Sequence, residues 1–210
     1  LIGVFGAWNE NIDGTGAEIK ISAAYGQKSA TVTRQVVGTS EPGSGGANLT
    51  SQGLQIMAKY SFATLENATV TPYAAVRYTQ NSLDGYSEGT STTVSAPLTY
   101  NSINNIASTI LAGLGTSYRL NPTSTIFASV GLEHDINTNN DTYLVTSPYI
   151  TGLDSIDLSA SAMKTRTTAT LGFYHDIEKN QRVGISGIYR QEPYQGISTI
   201  SAMVTYVAGM

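Results

Sequence analysis

The chain has 210 residues, a net charge of -4 and 0 Cys, which excludes a disulfide framework and a thiolate metal site. Its basic residues are few and scattered, which argues against nucleic acid as a partner. Charged residues make up only 12%, against about 25% in an ordinary soluble domain, yet hydrophobic residues reach only 40%. Gly, Ser, Thr, Asn and Tyr fill the difference, and 13 Tyr against 4 Phe and 1 Trp favour rings with one wet end.

The opening "LIGVFGAW" has no initiating Met and no signal peptide, so it reads as a mature chain or a fragment and supplies the first strand. From there alternation recurs along the chain. Ile19, Ile21, Ala23 and Tyr25 oppose Glu18, Lys20, Ser22 and Lys28. Leu54, Ile56, Ala58, Tyr60 and Phe62 oppose Gln55, Lys59 and Ser61. Val70, Pro72, Ala74, Val76 and Tyr78 oppose Thr71, Tyr73, Ala75 and Arg77. Ala112 and Leu114 oppose Gly113, Gly115, Ser117 and Arg119. Ile126, Ala128, Val130 and Leu132 oppose Thr125, Ser129, Gly131, Glu133 and Asp135. Ala169, Leu171 and Phe173 oppose Lys164, Arg166, Thr168 and Gly172. Val183, Ile185 and Tyr189 oppose Arg182, Ser186 and Arg190, and Ile200, Ala202, Val204 and Tyr206 oppose Ser201 and Thr205. About nine strands result, with no helical period. No apolar run approaches the roughly 18 residues that a spanning helix needs.

One face of these strands is aliphatic and aromatic, while the other mixes charges with Gly, Ser and Thr. A soluble sheet hides the first and wets the second. A membrane barrel shows the first to lipid and encloses the second. The connections favour the barrel. "ATLENAT", "LNPTS" and "IEKNQR" are tight, and long ones such as "VVGTSEPGSGGANLTS" and "NSLDGYSEGTSTTVSAPLTYNSINN" fall between them. Tight periplasmic turns and long outer loops are the outer-membrane arrangement. The expected fold is an all-β, antiparallel, up-and-down transmembrane β-barrel, with one domain over residues 1–210. Lys59, Arg77, Arg119, Glu133, Lys164, Arg166, Arg182 and Arg190 are expected to face its lumen, and Pro72 to sit early in its strand. Tyr60, Tyr78 and Tyr189 suit the aromatic girdles. An odd strand count in a barrel that should be even predicts that N-terminal strands are missing.

His134 stands beside Asp135 and His175 beside Asp176, a plausible base and orienter. Topology places the two at opposite ends of the barrel, some 20 Å or more apart at about 3.3 Å per residue, so no catalytic site is expected. "GTSEPGSGGA" lacks the helix and Lys of a phosphate loop and reads as a flexible surface loop. Asp141, Asp154 and Asp157 could hold Ca²⁺, but a solvated loop is the simpler reading. No cofactor or metal is expected.

"TPYAAVRYTQNSLDGYSE" and "LGTSYRLNPTSTIFASVGLEHDI" resemble conserved segments of the autotransporter β-domain, the translocator of type V secretion. The resemblance implies a 12-stranded barrel in the outer membrane of a Gram-negative bacterium, of which this chain covers the last nine strands. It implies anchoring and export of an N-terminal passenger. The implied partners are lipid, the passenger with its linker helix, and the barrel-assembly machinery. The last strand, with Ile200, Val204, Tyr206 and Met210, would carry the assembly signal. The family usually ends on an aromatic residue, so the ending "MVTYVAGM" is a departure. A self-contained small barrel, either anchor or porin, is the alternative, and an outer-membrane hydrolase is a third reading.

Overall fold

The computed structural model describes residues 1–11, 14–36, 38, 40–154, 163–178, 180–193 and 197–208. The alternating segments form β1 (Ile2–Asn9), β2 (Gly16–Arg34), β3 (Gly43–Leu65), β4 (Ala68–Leu83), β7 (Ile103–Asn121), β8 (Ser124–Asn140), β10 (Thr165–Glu178), β11 (Gln181–Gln191) and β12 (Ser198–Ala208). Three two-residue strands, β5 (Tyr86–Ser87), β6 (Thr99–Tyr100) and β9 (Val145–Thr146), come from the long connections. The nine long strands make one sheet in chain order, and the short ones a separate three-stranded sheet. Every pairing is antiparallel.

The large sheet is curled into a half-barrel. Arg77 on β4 reaches Glu133 on β8 across β7, and Arg190 on β11 reaches the same carboxylate across β10. Side chains that meet over an intervening strand must lie on the concave face. The burial pattern is the reverse of a soluble protein's. Ile56, Val76, Leu114, Val130, Leu171 and Ile185 are exposed on the convex face, whereas Thr109, Glu133, Asp135 and Arg166 are buried. The outer apolar face fades at Tyr25 and Tyr78. Beyond it Gln52 donates to Gln80, and Gln80 to Asn104, at 2.8 and 2.9 Å. The stretch from Ala68 to Tyr78 matches the roughly 9–11 residues with which a tilted strand crosses a bilayer.

The ends that join β1 to β2, β3 to β4, β7 to β8 and β10 to β11 lie at one end of the sheet, and those that join β2 to β3, β4 to β7, β8 to β10 and β11 to β12 at the other. Pro72 is the fifth of the 16 residues of β4, early in the strand as expected. The β3–β4 ladder lapses there, between the Lys59↔Tyr73 and Phe62↔Val70 pairs. The Ser61 and Thr71 hydroxyls meet at 2.9 Å across the gap. The missing donor thus falls where no ladder bond is needed.

At the long-loop end, β5, β6 and β9 build a small cap on the inward face of the β2–β3 hairpin. Tyr86 and Tyr100 stack at 4.6 Å with Ala47 and Leu98 beneath them. Gly43 and Gly45 belong to β3, which corrects the expectation of a flexible glycine loop. A Cβ at Gly43 would strike the Glu88 carboxylate and one at Gly45 the Tyr86 ring, so the missing side chains make room for the cap. Glu88, with its side chain 1% exposed, accepts from Arg34 at 2.9 and 2.8 Å and from the Leu98 amide at 3.0 Å. The Arg34 guanidinium holds its carboxyl below the ordinary range, and burial pushes the Tyr100 hydroxyl up to about 12.

Candidate functional site: the inner wall

Alternation sends the charged side chains of the long strands to one face, and curvature gathers them. Glu133 on β8 is the hub. Its Oε2 lies 2.7 Å from Arg77, 3.0 Å from Arg190 and 3.6 Å from Arg166. Arg166 also grips Asp135 through both terminal nitrogens, at 2.6 and 2.8 Å. The Thr109 hydroxyl donates to Asp135 at 2.7 Å. Register places them side by side. Thr109 pairs with Asp135 in the same unbroken ladder that joins Ile110 to His134 and Leu111 to Glu133, and the one-residue bulge at Ile136 falls just beyond it, before Ser108 pairs with Asn137. Glu133, Asp135 and Arg166 are nearly sealed from solvent, with side chains 4%, 7% and 4% exposed. Buried charges of this kind persist only when paired and hydrogen-bonded.

The sequence placed Arg77, Glu133, Arg166 and Arg190 on one face, and these four do converge. Asp135, which alternation puts on the same face as Glu133, and Thr109, which was not singled out, complete the cluster, because the β7–β8 register sets them opposite each other. Lys59 stands apart, paired with Glu18 at 2.9 Å. Arg182 is at the tight-turn end, bonded to Asp176 at 2.6 Å and lying 4.0 Å over the Tyr174 ring. Arg119, opposite Thr125, shares the concave face. Lys164 lies at a bend just before β10, outside the strand, so alternation does not assign it to either face. Ile200, Val204 and Tyr206 lie exposed on β12, and Met210 falls outside the described residues.

Aromatic rings fill the wall where glycines leave room. A Cβ at Gly131 would strike the Tyr73 hydroxyl, and one at Gly113 the Val130 carbonyl together with the tip of the Tyr73 ring. The two glycines should therefore respond differently. Gly131→Ala strikes the tip of a side chain, and its cost should shrink when Tyr73 is changed to Phe. Gly113→Ala strikes the Val130 carbonyl as well as the Tyr73 ring tip, should cost about 1–3 kcal/mol, and should be relieved less by Tyr73→Phe, because the backbone clash remains. Unfolding midpoints in lipid vesicles of the three single variants and the two glycine/Tyr73→Phe double variants decide this.

The histidines share no site. His134 pairs with Thr165 and His175 with Ser124 in the same β8–β10 ladder, roughly 33 Å apart along the strands. Each ring nitrogen meets a neighbouring hydroxyl, at 2.8 and 2.9 Å. No group of three or more His, Cys, Asp or Glu among the described residues could hold a metal ion. Asp157 lies outside the described residues.

The autotransporter β-domain family profile matches residues 1–190. The chain belongs to the autotransporter β-domain family. Among solved structures, this autotransporter β-domain is similar to the translocator domain of autotransporter NalP from Neisseria meningitidis. The TM-score is 0.73 at 20% identity, over 99% of this chain and 65% of that one. The likeness is one of fold, and the chain spans 65% of the length of that structure. The NanC porin aligns over 99% of both chains at 10% identity with a TM-score of 0.39, too loose a match to equate the folds. No curated protein matches the chain.

Proposed function

We propose that residues 1–210 form most of one outer-membrane translocator barrel, which anchors and exports an N-terminal passenger in a Gram-negative bacterium. The observation that carries this reading is the inside-out sheet, with ion pairs on its concave wall and an apolar band outside. The convex face would meet lipid. Lys59, Arg77, Arg119, Glu133, Arg166, Arg182 and Arg190 would line a wet passage open to the linker helix and the passenger, and Lys164 would stand at its long-loop rim. The reading assigns no catalytic step to the chain.

One observation favours the translocator over the self-contained small barrel. Strands β1 and β12 pair with β2 and β11 but not with each other. Unpaired ladder groups in lipid cost several kcal/mol each, so further strands must close the sheet between those edges. In this reading the barrel-assembly machinery recognises β12, including Ile200, Val204 and Tyr206, with Met210 beyond it.

Deleting residues 198–208 from the full-length protein should prevent closure and leave the passenger inaccessible to protease added to intact cells. Passenger digested at the cell surface despite the deletion would sink the proposal.

A further inference from the structure

We propose that the inner wall is an anion-attracting passage whose uncompensated cations are Lys20, Lys28 and Arg119. This rests on the barrel reading above and goes beyond it, because a translocator wall could equally be neutral or acidic. The chain as a whole carries a charge of -4. Its strands are sorted the other way. Among the described residues of the nine-stranded sheet, the concave face holds nine basic and four acidic side chains. The chain's remaining acids lie mainly in connections and turns.

All four acids on that wall are already committed. Glu18 holds Lys59, Asp176 holds Arg182, and Glu133 and Asp135 hold three arginines between them. Arg34 is matched by Glu88 from the cap. Lys20 makes no ion pair among the described residues and lies over the Phe5 ring, 5.0 Å from its centre. Lys28 and Arg119 are exposed and make no ion pair among the described residues. These three are spread along the wall. Lys28 lies toward the long-loop end opposite Leu49, Lys20 lies opposite Met57, and Arg119 lies by the tight turn opposite Thr125. A row of cations in a cleft with low-dielectric walls focuses its field into the enclosed water and raises the local concentration of anions. The favoured species is a small anion, drawn in by charge rather than gripped at one point.

These strands carry no Cys of their own, so a thiol introduced here can be read directly once any cysteine elsewhere in the full-length protein is changed to Ser. Ser117 shares the wall with Arg119, two residues away on β7. Ser117→Cys in the full-length protein, in lipid vesicles, would be reacted with an anionic sulfonatoethyl and a cationic trimethylammonioethyl methanethiosulfonate. The ratio of the two rates, divided by the ratio for a free thiol, cancels any change in thiolate fraction. The anionic reagent should be favoured about fivefold or more at low salt. Arg119→Gln should reduce that preference about two- to threefold, as expected for one charge at this distance in water. A normalised ratio of one or less would overturn the inference and leave the barrel reading standing. Reaction with neither reagent, in folded protein whose thiol reacts once unfolded, would mean that the wall does not face water and would overturn both.

Discussion

Replacing Glu133 by Gln should destabilise the barrel by about 3–5 kcal/mol, the usual cost of removing one partner from a buried ion pair. The change is nearly isosteric, so packing is not what fails. Three guanidiniums now converge on Glu133 and Asp135. Without Glu133 one carboxylate must serve all three, and Arg166 is too enclosed for water to take over, with its side chain 4% exposed. Arg77→Gln should cost much less, because Glu133 keeps Arg190 and Arg166. The double variant Glu133→Gln/Arg77→Gln should recover part of the loss, since one unmatched cation is gone. A double-mutant cycle on guanidinium unfolding in lipid vesicles gives that coupling directly. A loss below about 1 kcal/mol for Glu133→Gln would mean that water solvates the cluster and that the wall does not depend on it.

The inner and outer faces were legible in the sequence because a strand has period two and lipid tolerates few charges. Arg77, Glu133, Arg166 and Arg190 could be assigned to one face on that ground alone. Which of them touch could not be read. Arg77 and Arg190 sit on strands that do not neighbour β8, and only the curvature of the sheet brings them to Glu133. The Asp135–Thr109 bond depends on the register of β7 against β8, and alternation along either strand gives its faces but not that register. The cap was invisible for a related reason. Strands of two residues have no period, and Tyr86, Glu88 and Tyr100 are held by contacts with a hairpin far away in the chain. Gly43 and Gly45 looked like loop punctuation, yet they are strand residues that make room for Glu88 and Tyr86. The fold class survives such omissions because it depends on the faces and on the order of tight and long connections.

Leu114→Arg should cost about 2–4 kcal/mol in a bilayer, the depth-dependent cost of an arginine near the midplane of a barrel's lipid face. Leu114 is 54% exposed and sits between Pro72 and Val130 in the sheet, in the middle of the apolar band. The same substitution has the opposite meaning in water. There an exposed leucine changed to arginine would move stability by no more than about 0.5 kcal/mol and would improve solubility. Leu120 supplies the depth control. It is 50% exposed but lies at the tight-turn end of β7, where an arginine should reach the headgroups and cost about 0–1 kcal/mol. Unfolding of the two variants in phospholipid vesicles therefore reports the solvent of the convex face. A large penalty at Leu114 with a small one at Leu120 means lipid. Equal and negligible penalties mean water, and the exposed aliphatic face would then require a protein partner, because nothing else could cover so wide an apolar surface.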